Sequence, residues 1–135
     1  MCGIVGLYLK NPELHGKLGQ LFCPMLVEMT ERGPDSAGIA TYHEGDGVGN
    51  KVTLYHHDRH FDWEGLVDEA ERDLGVSITL QRISTHAILG ASRRDANLRG
   101  WVERNRPDVR IMSSGHSLEI FKEVGLPARV LEQFG

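Results

Sequence analysis

Gly3-Ile4-Val5-Gly6-Leu7-Tyr8-Leu9 opens the chain with apolar, partly β-branched residues and little polar alternation, which reads as a strand buried on both faces. The apolar period then changes. Leu18, Leu21, Phe22, Met25, Leu26 and Met29 follow Leu14 at offsets of 4, 7, 8, 11, 12 and 15, the spacing of an amphipathic helix that should cover one face of the sheet begun by the first strand. Pro24 should bend this helix. Arg32-Gly33-Pro34 should end it, with a cation at the carbonyl end, a left-handed glycine and a proline that cannot continue. Residues 37–42 and 51–56 read as an antiparallel hairpin whose connecting loop, residues 44–50, has turn composition. Residues 63–73 have helical spacing through Leu66, Ala70 and Leu74; residues 77–83, 87–89 and 109–112 are short strands; residues 95–104 are helical. Leu118, Ile120, Phe121, Val124, Val130 and Leu131 suggest helical pieces around Gly125-Leu126-Pro127. A hairpin-paired sheet with helices in separate stretches favours an α+β fold over a doubly wound parallel sheet.

The 135 residues fit one domain, 1–135, and are too few for a multidomain synthase. A hydrophobic fraction of 40% with 25% charged residues is that of a globular chain able to bury roughly two-thirds of its unfolded surface, which excludes global disorder and collagen-like structure. Lys+Arg 15 against Asp+Glu 19 leaves a net charge of −4, and Arg93-Arg94 and Arg104-Asn105-Arg106 are too sparse for a nucleic-acid surface. The longest apolar run, residues 2–9, is far below the roughly 18 residues that span a bilayer, so no membrane segment is expected. The first cation, Lys10, follows that run, so no cleavable leader and a cytoplasmic location are expected. In a reducing compartment Cys2 and Cys23 should be free thiols.

Cys2 follows Met1, and a small side chain there is compatible with removal of the initiator, which would leave one residue carrying both a thiol and a free α-amine. An α-amine ordinarily titrates at about 7.7–8.0 and a thiol at about 8.5, so such a residue is a nucleophile with its own proton relay and needs no separate histidine. Gly3 removes side-chain bulk where a substrate would approach. The plainer reading makes Cys2 an apolar residue opening an edge strand, and Arg32 and Asp35 a structural ion pair. A second motif weighs against it: Arg32-Gly33-Pro34-Asp35-Ser36-Ala37-Gly38 lies one strand and one helix later, where the chain should return beside the start of the first strand.

Met1-Cys2-Gly3-Ile4-Val5-Gly6 together with Arg32-Gly33-Pro34-Asp35-Ser36-Ala37-Gly38 resembles the opening of the class II glutamine amidotransferases, which are amino-terminal-nucleophile hydrolases. The resemblance implies a four-layer αββα sandwich, here incomplete. It implies that Cys2 attacks the side-chain amide of glutamine and that the ammonia released passes to a glutamate-synthase-like synthase subunit. It places Gly3, Arg32, Gly33 and Asp35 around the nucleophile, with Arg32 supporting its loop. Residues 112–127 resemble an insert in the amidotransferase subunits of N-methylglutamate synthases, relatives of glutamate synthase.

That family continues with a His-Thr-Arg carboxylate clamp, an Asn-Gly oxyanion pair and an aspartate for the substrate amine. Ser84-Thr85-His86-Ala87 has no arginine after its histidine, and Asn11, Asn50, Asn97 and Asn105 precede Pro, Lys, Leu and Arg. Loss of one oxyanion donor typically costs about 100- to 1000-fold in rate. The chain therefore reads as the amino-terminal part of a longer amidotransferase, inactive alone, or as a non-catalytic remnant or interaction protein. His56-His57-Asp58-Arg59-His60 offers at most three ligands to one side of an extended segment, and residues 45–50 lack the Lys-Ser/Thr of a phosphate loop. Neither a metal nor another cofactor is expected.

Overall fold

The computed structural model describes residues 2–42 and 50–134, so the loop expected at 44–50 lies outside the described residues apart from Asn50. The chain divides into two compact units, residues 1–38 with 122–135, and residues 39–121. The described strands are β1 (Ser36–Tyr42), β2 (Lys51–Tyr55), β3 (Ile78–Ile83), β4 (His86–Ala91), β5 (Arg110–Gly115) and β6 (Leu118–Val124). The α-helices are α1 (Leu18–Val27), α2 (Trp63–Leu74), α3 (Leu98–Asn105) and α4 (Pro127–Phe134). The mixture is α+β, as the sequence implies.

The second unit is built on a four-stranded sheet of order β3-β4-β2-β5 with antiparallel pairing throughout. Val52 and Leu54 of β2 pair with Leu89 and Ala87 of β4, and these four share one face because side chains alternate along a strand. On that face the core continues through α2 and α3. Helix α2 buries Trp63, Leu66, Val67 and Ala70, a stripe of helical period. It starts on Asp62, whose carboxylate accepts from the Gly65 N–H at 2.9 Å, and stops at Gly75 with φ 62° and ψ 36°, a left-handed cap open to glycine at little cost. Helix α3 repeats the device with Asn97 accepting from the Gly100 N–H at 2.9 Å. Its Trp101 indole donates to Asp73 at 2.9 Å, tying α3 to the end of α2. The opposite face of the sheet carries Thr53, Tyr55, His86 and Ile88, and there Phe121 lies edge-on to the fully buried His86 ring at 5.6 Å.

The first unit departs most from the sequence reading. Residues 3–9 form no strand and pair with none of the described strands. The helix expected over 14–29 is broken. Asn11 accepts from the Glu13 N–H at 3.1 Å and starts a 3-10 segment, Pro12–Lys17; α1 follows with Pro24 inside it, and a second 3-10 turn, Thr30–Arg32, ends the stretch. Pro24 lacks the N–H that would hold the preceding turn. Gly33 is not left-handed: its φ is −156°, and its N–H closes the 3-10 turn on the Thr30 carbonyl at 3.2 Å instead. No residue of α1 is buried; it packs with α4, which buries Pro127 and Val130.

Two further expectations fail in the pairing. β1 and β2 exist, but not as a hairpin: β1 pairs with β6, while β2 sits between β4 and β5. Residues 118–124 are strand β6 rather than helix. The helix expected over 95–104 begins at Leu98, on its Asn97 cap.

Candidate active site

Both motif halves lie in the first unit. Cys2 is exposed and carries a free thiol. Gly3 lies against the turn that ends the α1 stretch: a Cβ placed on it would clash with the Met29 methyl and lie 3.0 Å from Cβ and 3.5 Å from Cγ of Arg32. Only a residue without a side chain lets the backbone approach this closely. The contact differs along the segment, since a Cβ at Gly6 would meet nothing within 4 Å.

Arg32 is the last residue of the Thr30–Arg32 turn, its N–H held by the Met29 carbonyl at 2.9 Å and its side chain exposed. Asp35 is exposed as well, and its carbonyl accepts from the Gly125 N–H at 2.9 Å, fixing the start of β1 beside the turn before α4. No ion pair joins Arg32 to Asp35, so the structural pairing considered for them is not formed. The structure thus brings Gly3, next to Cys2, against Arg32, and places Gly33 and Asp35 on the chain that leaves that turn. Met29 is the partner that sequence reasoning missed: its helical spacing marks it as apolar, and nothing in that spacing shows that it meets Gly3. Cys23 is half-buried in α1 and also free.

Elsewhere the candidate ligand cluster is a turn rather than an extended segment. His56 Nδ1 accepts from the Asp58 N–H at 3.1 Å, Asp58 accepts from the His60 N–H at 2.8 Å, and the His56 ring lies 4.3 Å from that of His57 and 4.1 Å from that of Phe61. Among the described residues no group of three or more His, Cys, Asp or Glu converges as a metal site. Two open grooves of about 490 and 530 Å³ lie in the second unit, sharing Pro107, Val109 and Arg110 in their walls. Beside them Arg106 grips Asp108 with two bonds of 2.8 and 3.1 Å, lies 3.5 Å from Glu69 and covers the Phe61 ring at 5.3 Å. The guanidinium holds the Asp108 carboxyl below its usual range, and Asp108 in turn raises Arg106. No helix among the described residues is long and apolar enough to cross a membrane.

Over 138 aligned residues, 99% of its length, the chain is 47% identical to the "Glutamine amidotransferase-like protein GlxB" of Rhizobium meliloti, of which it covers 44%. Over 149 aligned residues, again 99% of its length, it is 28% identical to a protein of Methanothermobacter thermautotrophicus named "Putative glutamine amidotransferase", of which it covers 47%. The chain thus spans less than half the length of these relatives. No family model matches it, and no solved structure does. The similarity to these two proteins, both named for glutamine amidotransferase, runs along almost the whole chain.

Proposed function

We propose that residues 1–135 are the amino-terminal part of a class II, amino-terminal-nucleophile glutamine amidotransferase domain, with an αββα sandwich as its complete fold and a cytoplasmic location. Cys2, freed of Met1, is the nucleophile. Its thiolate attacks the side-chain amide carbon of glutamine, and its own α-amine hands a proton to the departing nitrogen, which leaves as ammonia. Water then cleaves the thioester to give glutamate and the free thiol. The ammonia goes to a synthase partner of the glutamate-synthase or N-methylglutamate-synthase kind.

The observation that carries this reading is the approach of Gly3 to Arg32, which puts the segment bearing an exposed thiol against the second motif. The α+β architecture, with helices on one face of an antiparallel sheet and Phe121 on the other, supports the fold assignment. Arg32 and Asp35 then hold the nucleophile segment in place, while the carboxylate clamp and oxyanion donors come from sequence beyond these 135 residues.

The test measures glutamate release from glutamine by the chain alone, by the chain joined to the region of the Rhizobium meliloti relative outside the alignment, and by a Cys2→Ala version of the joined chain. The expected result is negligible turnover by the chain alone, turnover by the joined chain and none by Cys2→Ala. Positioning is worth roughly 7–11 kcal/mol and each oxyanion donor roughly 3–4, so a nucleophile alone does not suffice. Turnover on the order of 1 per second by the chain alone would overturn the assignment of the substrate site to missing sequence. Equal turnover by the Cys2→Ala version would overturn the nucleophile.

A further inference from the structure

Tyr55, His56, His57, Asp108 and Arg110 line a groove of about 530 Å³ in the second unit. Tyr55 and Arg110 stand directly opposite each other in the β2–β5 ladder, which puts both side chains on one face of the sheet. Among the described residues the Tyr55 hydroxyl, the His57 ring and the Arg110 guanidinium make no hydrogen bond and no ion pair. The His57 ring lies 4.3 Å from that of His56, whose Nδ1 accepts from the Asp58 N–H at 3.1 Å, so the neutral His56 ring carries its proton on Nε2 and is a donor there. Asp108 is the acid of this wall, and its two oxygens are taken by Arg106 Nε and Nη2 at 3.1 and 2.8 Å. A guanidinium, a phenol and two imidazoles are left, and each donates to an anion; the guanidinium does so through charge-assisted bonds roughly twice as strong as neutral ones. The histidine run, in which no metal site converges, thus supplies donors to a groove.

We propose that this groove binds the phosphate group of a small phosphorylated molecule, with Arg110 as its charge partner and Tyr55 and His57 as neutral donors. The donors come from two separate segments, residues 55–57 and Arg110, which suits the several acceptor directions of a tetrahedral group better than the single plane of a carboxylate. The volume falls within the roughly 300–1,000 Å³ of small-molecule sites and leaves room for more than a phosphate group alone. The chain as a whole carries a net charge of −4, so an anion is not drawn to its surface at large and needs a local set of donors to stay. The site takes no part in the glutamine chemistry of Cys2 and stands or falls separately from it.

The experiment titrates ribose 5-phosphate, ribose and inorganic phosphate in turn into the 135-residue chain, and into the same chain joined to the region of the Rhizobium meliloti relative outside the alignment, and follows the amide NMR shifts at about 0.1 M salt. Ribose 5-phosphate should bind both with a Kd of about 1 mM or tighter and shift the amides of residues 55–57 and 110, inorganic phosphate should bind more weakly, and ribose should not bind. Arg110→Gln, at an exposed position, should weaken binding by about tenfold or more while the amide shifts of β2 and β4 keep their folded dispersion. Tyr55→Phe keeps the ring that lies 5.1 Å from His86 and removes only the hydroxyl, and should weaken binding about threefold. Arg93→Gln removes the same charge from an exposed arginine paired with Asp95 and should leave binding unchanged. Absence of binding by ribose 5-phosphate, equal weakening by Arg93→Gln, or loss of binding in the joined chain overturns the proposal. Equal affinity for inorganic phosphate overturns the assignment to a phosphorylated molecule.

Discussion

Replacing Gly3 by alanine tests whether the segment bearing Cys2 is held against the turn at Arg32. The added Cβ would overlap the Met29 methyl and sit 3.0 Å from the Arg32 Cβ. The Met29 methyl is the far end of a flexible side chain and can swing aside; the Arg32 Cβ is fixed to the backbone of the 3-10 turn and can move only with it. Forcing a methyl into such a contact costs about 1–2 kcal/mol, the lower part of the overpacking range. Since about 1.4 kcal/mol is a factor of ten in an equilibrium, the turn should open roughly tenfold more often. The Arg32 and Gly33 amides, bonded to the Met29 and Thr30 carbonyls at 2.9 and 3.2 Å, report that opening by hydrogen exchange. Gly6→Ala is the matched control, with the same change in unfolded-chain entropy and no contact within 4 Å. The expected pattern is about tenfold faster exchange in Gly3→Ala, less than twofold change in Gly6→Ala, and little recovery when Met29→Ala is added to Gly3→Ala, because the Arg32 Cβ contact remains. Equal behaviour of the two glycine variants, or full recovery of Gly3→Ala by Met29→Ala, would refute the contact with the Arg32 Cβ.

Three more substitutions probe the scaffold. Thr53→Val should stabilise the protein by about 1 kcal/mol in urea unfolding, because the Thr53 hydroxyl is buried with no hydrogen-bond partner among the described residues and the valine keeps its shape. Gly75→Ala should cost about 1 kcal/mol, since the αL cap of α2 at φ 62° penalises a Cβ, and a neutral result would show that the cap is relaxed in solution. Because the Asp108 carboxyl is held below its ordinary range by Arg106, the pair stabilises the fold above the ordinary carboxylate pKa of about 3.9, and that contribution is lost as pH falls through the lowered value. Asp108→Asn should therefore lower stability at pH 7 by no more than about 1 kcal/mol, the pair being partly open to water, and the gap to the parent should close on acidification below about pH 4; a gap that widens in acid would reverse the sign.

The second unit was largely legible because its signals are local. Trp63, Leu66 and Ala70 share one helical face, Gly75 ends it, and the strands at 77–83, 87–89 and 109–112 fall on β3, β4 and β5 within a few residues. Pairing was not legible, because it depends on strands far apart in sequence. Residues 37–42 and 51–56 look like neighbours, yet the partner of β1 is β6. β6 itself was disguised. Leu118 and Ile120 lie on one side of the strand and Phe121 on the other, but Leu118 and Phe121 stand three apart, which mimics one turn of helix. The apolar segment 3–9 shows the reverse failure: it has a strand's composition and its alternation, but a strand forms only beside a ladder. Of the proposed site, Cys2, Gly3, Arg32, Gly33 and Asp35 are named by their motifs alone. The contact of Gly3 with Met29 is not, because it depends on how the 3-10 turn after α1 brings two distant backbone segments together.

The central claim is that Cys2 is an amino-terminal nucleophile, and intact-mass analysis of protein made in cells, followed by reaction with a glutamine-analogue electrophile and peptide mapping, tests it most directly. In the chain joined to the remaining region of its relative, the account predicts a mass lacking Met1 and a single adduct on Cys2, with the half-buried Cys23 unmodified. Retention of Met1 in nearly all molecules, or preferential labelling of Cys23 in folded protein, would contradict it.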